Sequence, residues 1–393
     1  MILTQCAVCA TELGLSLGKK CGRCSTRYCG AECQVQHWKE GGHDKLCKTI
    51  KKAGGAEQYN ANKKYAEAVA VAAKACAEDT KGQTCYICME AVHSRTGEGL
   101  VRGCACGDRD GVASGKTGIA HVSCLAEQAK ILRQEAEENN LGIKVRNERF
   151  RRWETCSLCE QNYHGVVRCA LGWACWKTYV GRPEADQVRR LAMQKLGNGL
   201  SAAGHHEDEM SVRKAELAML RRLSASEYDM LVVQTNLACT YHRLGRLEEA
   251  LRIQRDVYSG YLKLFGEESH KTLLSANNYA VSLVGLKRFE EAKSLLRKTM
   301  PVARRVLGDD DISTLRMRMN YGRALYEDPC ATLDDLRKAV TTLEEIEPIV
   351  RRVLGGAHPV SEAIETSLRN ARAALTARDL ARETLPPPGG TSK

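Results

Sequence analysis

The sequence has no long apolar run and no recognisable leader at its start. Its most apolar stretch, Tyr163 to Val180, is interrupted by Arg168 and Lys177, whereas a membrane-spanning helix needs about 20 predominantly apolar residues. The opening residues MILTQC lack the basic and apolar regions of a secretory signal peptide. We therefore expect no membrane span and a cytoplasmic location, with the nucleus as an additional one.

Catalytic patterns are also missing. We find no Ser-His-Asp, HExxH or paired-carboxylate arrangement in the 393 residues. The segment GVASGKT, from Gly111 to Thr117, looks like a phosphate-binding loop, but it has three residues between its glycines where that loop needs four. We interpret it as a flexible loop between metal ligands and expect no nucleotide there.

Cysteine is abundant, with 19 residues in the chain. Seven lie between Cys6 and Cys47, seven more lie between Cys85 and Cys159, and few follow residue 181. Thiols of an intracellular protein stay reduced, so clustered cysteines there are metal ligands more often than disulfides. A disulfide framework is the alternative.

The first cluster contains two C-x2-C pairs, then C-x3-C, and ends in His43-x3-Cys47. The x2 spacing lets two thiolates on one tight turn reach the same ion, and eight ligands make two tetrahedral sites. A segment of 47 residues with few large apolar side chains cannot fold by burial alone. We expect metal binding to supply its folding free energy.

This pattern resembles the MYND zinc finger, whose local features include Tyr28 before Cys29 and Gln34 after Cys33. The resemblance implies two cross-braced zinc sites, with His37 as a competing ligand to His43. It also implies a peptide-binding groove at Gln34 and Trp38, although Trp38 could instead pack over the zinc sites. The implied ligand sets are Cys6, Cys9, Cys29 and Cys33 for one ion, and Cys21, Cys24, His43 and Cys47 for the other.

The second cluster begins with C-x2-C at Cys85, continues with C-x-C and H-x2-C, and ends with C-x2-C at Cys159. A histidine in fifth place, after a fourth cysteine, resembles a RING-CH (RING-variant) zinc finger. The resemblance implies cross-bracing here as well. The implied ligand sets are Cys85, Cys88, His121 and Cys124 for one zinc, and Cys104, Cys106, Cys156 and Cys159 for the other.

RING-CH fingers are ubiquitin ligases that hold a loaded ubiquitin-conjugating enzyme and act by positioning. The resemblance implies that Ile87 contacts that enzyme and that all four zinc ions are structural. Trp153 is a second candidate contact, or simply a packing residue. Glu160 departs from the family, which carries a basic residue after the eighth ligand. The alternative function is a non-catalytic scaffold with two zinc modules and a repeat domain.

Past residue 184 the sequence repeats itself. GRLEEAL at Gly245 recurs as KRFEEAK at Lys287, and PVARRVLG at Pro301 recurs as PIVRRVLG at Pro348. These segments resemble the 42-residue tetratricopeptide repeats of kinesin light chains, which implies a stack of helix pairs with a groove for protein or peptide ligands. Asn236, Asn278 and Asn320 recur at one repeat position, either in that groove or stabilising the turns between helices.

The expected fold is therefore mainly α, with two small cross-braced zinc modules followed by an α-solenoid of helical hairpins. The expected domains are a MYND-like finger at 1–52, a helical linker at 53–81, a RING-CH-like finger at 82–165, a linker at 166–183, a repeat array with a cap helix at 184–385, and a disordered tail at 386–393.

Charge does not indicate a nucleic-acid ligand. The formal charge is +11, but fourteen liganding thiolates remove fourteen charges and four zinc ions return eight, which leaves +5. The basic residues of the repeats are interspersed with acidic ones, as on a solvated helix face. We expect a ubiquitin ligase of RING-CH type that selects substrates through its repeats and MYND finger, with no nucleic-acid partner. The substrate, the conjugating enzyme and the oligomeric state are not specified by the sequence.

Overall fold

The computed structural model describes residues 6–9, 11, 13, 18–104, 106, 118–356 and 358–383, with the backbone alone for 381–383. The predicted tail at 386–393 and the loop from Gly111 to Thr117 lie outside these residues. The described part contains fifteen helices and two short antiparallel hairpins, which confirms the mainly α fold.

The elements run in the following order. The strands are β1 (Lys19–Lys20), β2 (Arg27–Tyr28), β3 (Val101–Arg102) and β4 (Ile119–Ala120). The helices of the first half are α1 (Ala31–Lys39), α2 (His43–Lys52), α3 (Ala56–Ala75), α4 (Val122–Glu138), α5 (Ile143–Phe150), α6 (Gly165–Tyr179), α7 (Gln187–Ala202) and α8 (His206–Arg222). Those of the second half are α9 (Glu227–Arg243), α10 (Leu247–Phe265), α11 (His270–Gly285), α12 (Phe289–Leu307), α13 (Ile312–Tyr326), α14 (Leu333–Leu354) and α15 (Pro359–Glu383).

The chain divides into two compact units, Met1–Ala225 and Ser226–Lys393. The composition of the sequence instead suggests a boundary near residue 181. Helices α7 and α8, which lie within the predicted repeat array at 184–385, share a hydrophobic core with α3, α4 and α6 of the first unit.

Helix α6 is central to the first unit. The sequence suggests a linker over 166–183, but this segment forms a helix in which ten of fifteen residues are buried. The reason is that α6 is apolar around most of its circumference, apart from the half-buried Arg168 and Lys177, and such a helix is stable only when it is surrounded by protein. One side of it packs in the core with α7 and α8, and another side packs beside the second cysteine cluster.

Two glycines allow α6 and α7 to approach each other closely. A Cβ atom on Gly172 would lie 2.9 Å from the carbonyl oxygen of Lys195, and one on Gly199 would lie 2.7 Å from that of Arg168. Each glycine therefore faces the backbone of the other helix, so the two backbones meet where any larger side chain would separate them.

The second unit is a succession of helix pairs, α9–α10, α11–α12 and α13–α14, followed by α15. Small residues on these helices, including Ala238, Ala250, Ala280 and Ala292, are fully buried, which lets paired helices approach each other. Helix α15 follows the last pair as the predicted cap and buries Val360, Ile364, Leu368 and Ala371 in the core that contains α13 and α14. In the described part of the chain, no helix is both long and apolar enough to cross a membrane.

Candidate metal centres and repeat groove

The structure gathers the sixteen predicted ligands into four groups of four, each with the membership that the two resemblances imply. Within each group, the potential ligand atoms all lie within 4.8 Å of one another. The four groups are Cys6–Cys9–Cys29–Cys33, Cys21–Cys24–His43–Cys47, Cys85–Cys88–His121–Cys124 and Cys104–Cys106–Cys156–Cys159.

The separations within the groups fit zinc. Zinc–sulfur bonds of about 2.3 Å in a tetrahedron place two sulfurs about 3.8 Å apart. The Sγ atoms of Cys9 and Cys29 are 3.5 Å apart, those of Cys21 and Cys47 are 3.8 Å apart, and those of Cys106 and Cys156 are 3.6 Å apart. A disulfide needs about 2.05 Å, so these separations favour shared ions over the alternative framework. Zinc held in such closed sites would be structural, since four protein ligands leave no position for water.

Three of the C-x2-C pairs fold into the same turn. The residue after the second cysteine has a positive φ in each case, at Ser25 (61°), Met89 (64°) and Glu160 (58°). The backbone N–H of that residue donates to the carbonyl oxygen of the first cysteine, over 2.8 to 3.0 Å. The tight turn aims both thiols at one point, which is why a spacing of two residues produces a ligand pair.

His43, rather than His37, completes the second site. The Nε2 atom of His43 lies 3.4 Å from Cys24 Sγ. His37 Nδ1 is hydrogen-bonded to the Tyr28 hydroxyl at 3.0 Å, and its ring packs 4.9 Å from that of His43. His37 therefore supports the liganding ring from one side instead of joining the group.

A capping interaction positions the histidine of the third site. His121 precedes α4, and its Nδ1 lies 3.3 Å from Cys88 Sγ. The carboxylate of Glu98 accepts a hydrogen bond from the backbone N–H of Ser123, over 2.7 Å. Because the first N–H groups of a helix have no partner within it, a carboxylate there stabilises the helix start. Glu98 thereby fixes the helix turn that carries His121 and Cys124.

Hydrogen bonds favour the thiolate of some members of these groups, whereas burial and neighbouring thiols raise the pKa of others, including Cys47 and Cys124. The Thr11 hydroxyl lies 3.0 Å from Cys9 Sγ and lowers the pKa of the Cys9 thiol to about 6. In the fourth group, a hydrogen bond from Cys104 lowers the pKa of Cys156 to about 4. Thiolates are the form that binds zinc.

The predicted MYND groove residues lie on one face of α1. Gln34 and Trp38 are one turn apart, Gln34 is half-buried, and the Trp38 side chain is 45% exposed. The Trp38 ring also meets the edge of the His43 ring, 5.7 Å away. Trp38 thus packs on a liganding residue and still presents a surface to solvent.

In the second finger, Ile87 and Trp153 have different environments. Ile87 is 37% exposed, between Cys85 and Cys88. Trp153 is 1% exposed and packs against Tyr179 in the core, so its assignment as a partner contact is wrong. Its large apolar ring is buried in the core shared with α6, and no partner could reach it.

A further exposed residue was not among the predicted contacts. Leu158 occupies the same position in Cys156-x2-Cys159 as Ile87 does in the first pair, and it is 42% exposed. A hydrogen bond of 3.0 Å between the Tyr86 hydroxyl and Ser157 Oγ joins the two turns. The equivalence of the two spacings could have indicated Leu158 from the sequence.

The three repeated asparagines also differ. Asn236 and Asn278 are half-buried, but Asn320 is 2% exposed and its Nδ2 donates to Asn277 Oδ1 over 2.9 Å. Asn320 therefore links α13 to α11 inside the core, and its assignment as a groove contact is wrong. Asn278 lines a cavity of about 170 Å³ together with Gln254 and Ser282.

Two family models match the sequence. The MYND finger model covers residues 6–47, which hold the first two groups of ligands, and the tetratricopeptide repeat model covers residues 229–303, which hold α9 to most of α12. The chain therefore combines a zinc-binding MYND finger with tetratricopeptide repeats. The resemblance of residues 82–165 to a RING-CH finger stays a prediction.

Similar curated proteins are clustered mitochondria protein homologues. The homologue from Emericella nidulans is 24% identical over 179 residues, which is 44% of this chain and 14% of the relative. The homologue from Ajellomyces capsulatus is 24% identical over 203 residues, or 49% of this chain and 16% of the relative. The chain thus spans less than a fifth of the length of these relatives.

One similar solved structure is that of a kinesin light chain candidate from Podosopora anserina, whose own tetratricopeptide-like repeats are nearly identical to one another. It aligns with a TM-score of 0.42 and 22% identity, over 50% of this chain and 90% of that one. BtubC (BKLC) from P. vanneervenii aligns with a TM-score of 0.39 and 15% identity, over 69% of this chain and 95% of that one. The repeat assignment rests on the family model, since both scores are below 0.5.

Proposed function

We propose that this chain is a protein-interaction scaffold that binds an extended or helical segment of a partner protein along its repeats and a second peptide on its MYND finger. The repeats carry the proposal. The tetratricopeptide match falls on successive helix pairs of the second unit, and stacked pairs of this kind leave an inner groove suited to peptides. Asn236 and Asn278 supply half-buried polar groups at equivalent positions of adjacent pairs.

Selection of peptides by the zinc-loaded full chain tests this proposal. We expect a random peptide library to yield binders whose affinity falls at least tenfold in Asn278→Arg, because a long charged side chain would occupy the cavity beside Asn278. The matched control is Ser259→Arg, which adds the same side chain at an exposed position of α10. An equal loss of peptide affinity in both variants, or the absence of any enriched peptide, would contradict a peptide-binding groove.

We propose as a second candidate that residues 82–165 act as a RING-CH-type ubiquitin ligase with four bound zinc ions per chain. The alternating membership of the third and fourth ligand groups supports it, because the first and third ligand pairs share one group and the second and fourth pairs share the other, as in a cross-brace. The exposed side chains of Ile87 and Leu158, on turns joined by Tyr86 and Ser157, offer an apolar surface for a conjugating enzyme. Glu160 is exposed at the position where the family carries a basic residue.

An assay of ubiquitin discharge from a panel of ubiquitin-loaded conjugating enzymes distinguishes the ligase from the scaffold. A ligase should lose most activity in Ile87→Ala with its zinc content unchanged, since truncating an apolar anchor commonly costs above about 1 kcal/mol of binding. Val92→Ala is the matched control, because Val92 is 60% exposed in the same finger but lies outside both turns. If neither the unmodified chain nor Glu160→Arg discharges any enzyme while zinc stays bound, the scaffold alone is supported.

A further inference from the structure

A cavity of about 170 Å³ lies between α9, α10 and α11 of the second unit. It is large enough for one side chain and too small for a folded element. The side chains around it are polar with one exception, Val281, and they come from both helices of one pair and the first helix of the next. The lining residues are Cys239, His242, Arg243, Gln254, Asn278, Val281 and Ser282.

Gln254 is the unusual member of this lining. Its side chain is 2% exposed, and its Nε2 contacts Cys239 Sγ at 3.9 Å. Its Oε1 is buried and accepts no hydrogen bond from any described residue. A buried acceptor without a donor is costly, and each such group in a folded protein calls for an explanation. A rotation of the Gln254 side chain would bring Oε1 to the surface of the cavity, where an N–H of a ligand would supply the missing bond.

The other polar groups of the lining include hydrogen-bond donors, so the same ligand should also carry an acceptor. The Asn278 carboxamide can donate as well as accept. Burial, together with the nearby Arg323 and Arg243 guanidinium groups, lowers the pKa of His242, so its imidazole is neutral at neutral pH. Among the described residues, no Asp or Glu lines the cavity and Arg243 does, so a lysine ammonium would lack a counter-charge there. A carboxylate would offer no donor to Gln254 Oε1.

We propose that this cavity, the Gln254 pocket, binds the side-chain carboxamide of a Gln or Asn residue in the partner segment. The carboxamide NH2 donates to Gln254 Oε1, and its carbonyl oxygen accepts from Asn278. A carboxamide is planar, with a donor on one side and an acceptor on the other, so it can bond to Gln254 and Asn278 at once. This inference rests on the proposed function, because it names the residue type that the repeat groove selects at this position.

The experiment uses the zinc-loaded full chain and pools of acetylated hexapeptides in which one position is fixed as Gln, Glu, Lys or Leu and the others are random. We expect the Gln pool to bind about tenfold more tightly than the Leu and Glu pools at one fixed position, since only the carboxamide can make both hydrogen bonds in the pocket. Gln254→Leu should remove this preference. That variant should remain folded, because it exchanges a buried unpaired polar group for an apolar one of similar size.

A second variant, Gln254→Glu, places a carboxylate in the pocket and should move the preference from the Gln pool to the Lys pool. Preference for the Glu or Leu pool, equal binding of all pools, or a Gln preference that survives in Gln254→Leu would overturn the pocket assignment. These outcomes leave peptide binding by the groove intact. If no pool binds at any position, the proposed scaffold function fails together with this inference.

Discussion

Two equivalent turns in the repeats differ by a single residue. The turn between α9 and α10 contains Gly245 with a φ of 73°, and the corresponding turn between α11 and α12 contains Lys287 with a φ of 59°. An L-residue with a side chain is strained in this left-handed region, whereas glycine is not. Lys287 therefore destabilises a turn that its sister repeat forms without strain.

Replacing Lys287 by glycine should stabilise the second unit by about 0.5–1 kcal/mol. The reverse exchange, Gly245→Lys, should destabilise it by a similar amount. Urea unfolding followed by far-ultraviolet circular dichroism measures both changes. If Lys287→Gly lowered the midpoint, contacts of the lysine side chain would outweigh its backbone strain.

A buried charge cluster distinguishes α8 from the later repeats. Glu209, Arg213 and Glu216 are all at most 2% exposed, and Arg213 Nη1 lies 3.4 Å from Glu216 Oε2. Burial raises the pKa of Glu216. Later repeats have alanine where this copy has Glu209. Arg213 lies against both buried carboxylates and compensates much of their charge.

Substituting Arg213→Met should therefore destabilise the first unit by about 3–5 kcal/mol, because removing one partner leaves buried charge uncompensated. Tryptophan fluorescence reports on this unit, since Trp38, Trp153, Trp173 and Trp176 are the only tryptophans and all belong to it. Adding Glu209→Ala and Glu216→Met should restore stability. The control Arg221→Met, at an exposed position of α8, should change the stability of the first unit little.

At the scale of elements, the contact between α6 and α7 depends on the absence of side chains at Gly172 and Gly199. Alanine at either position would place a Cβ within 3 Å of a backbone oxygen of the other helix. Backbone cannot yield as a flexible side chain can, so the helices must separate. We expect Gly172→Ala and Gly199→Ala each to destabilise the first unit by about 1–3 kcal/mol despite the better helix propensity of alanine.

The control for this prediction is Gly285→Ala at the end of α11. A Cβ there would meet its nearest neighbour at 3.6 Å, which is ordinary contact. That substitution should be neutral or slightly stabilising. A comparison of thermal midpoints by tryptophan fluorescence for the first two variants, and by circular dichroism for the third, checks the expectation. Similar behaviour of all three would show that the two helices can adjust.

At the scale of the whole molecule, zinc should stabilise one unit and not the other. All four ligand groups lie in Met1–Ala225, and the second cysteine cluster shares a core with α3 and α6. Removing zinc with a strong chelator should therefore shift tryptophan fluorescence to longer wavelength and expose amides of α3, α4 and α6 to hydrogen exchange. The amides of α9 to α14 should stay protected, because repeats bury their own apolar faces. Loss of protection throughout would contradict this division.

Zinc content is a separate prediction. Sixteen ligands in four groups should bind four ions per chain, and Cys85→Ser should reduce the content to about three, because it removes one thiolate from one closed group. Cys330→Ser is the matched control, since Cys330 is exposed in the second unit and belongs to none of the four groups. Elemental analysis measures the zinc content of the purified unmodified chain and of the two variants. A content of two in the unmodified chain would remove one whole finger from the assignment.

Local signals in the sequence were sufficient for the ligand pairs and for the repeats, whereas the grouping of distant pairs followed from the two family resemblances. Ligand pairs at fixed spacing form by turns of a few residues, as the shared geometry around Ser25, Met89 and Glu160 shows. Repeats recur at a near-constant interval because each pair of helices packs only on its neighbours. Ligand pairs and repeats depend on residues that are close in sequence or repeat regularly, so the sequence alone determined them.

Burial between distant segments was decided only by the tertiary structure. Trp153 and Asn320 looked like surface contacts until the fold placed them in the core, and residues 166–183 looked like a linker until neighbours surrounded α6. The Gln254 pocket likewise has no sequence signature, because its groups come from three helices. The exposure of a residue depends on what packs around it in the folded protein, and spacing along the chain does not encode this.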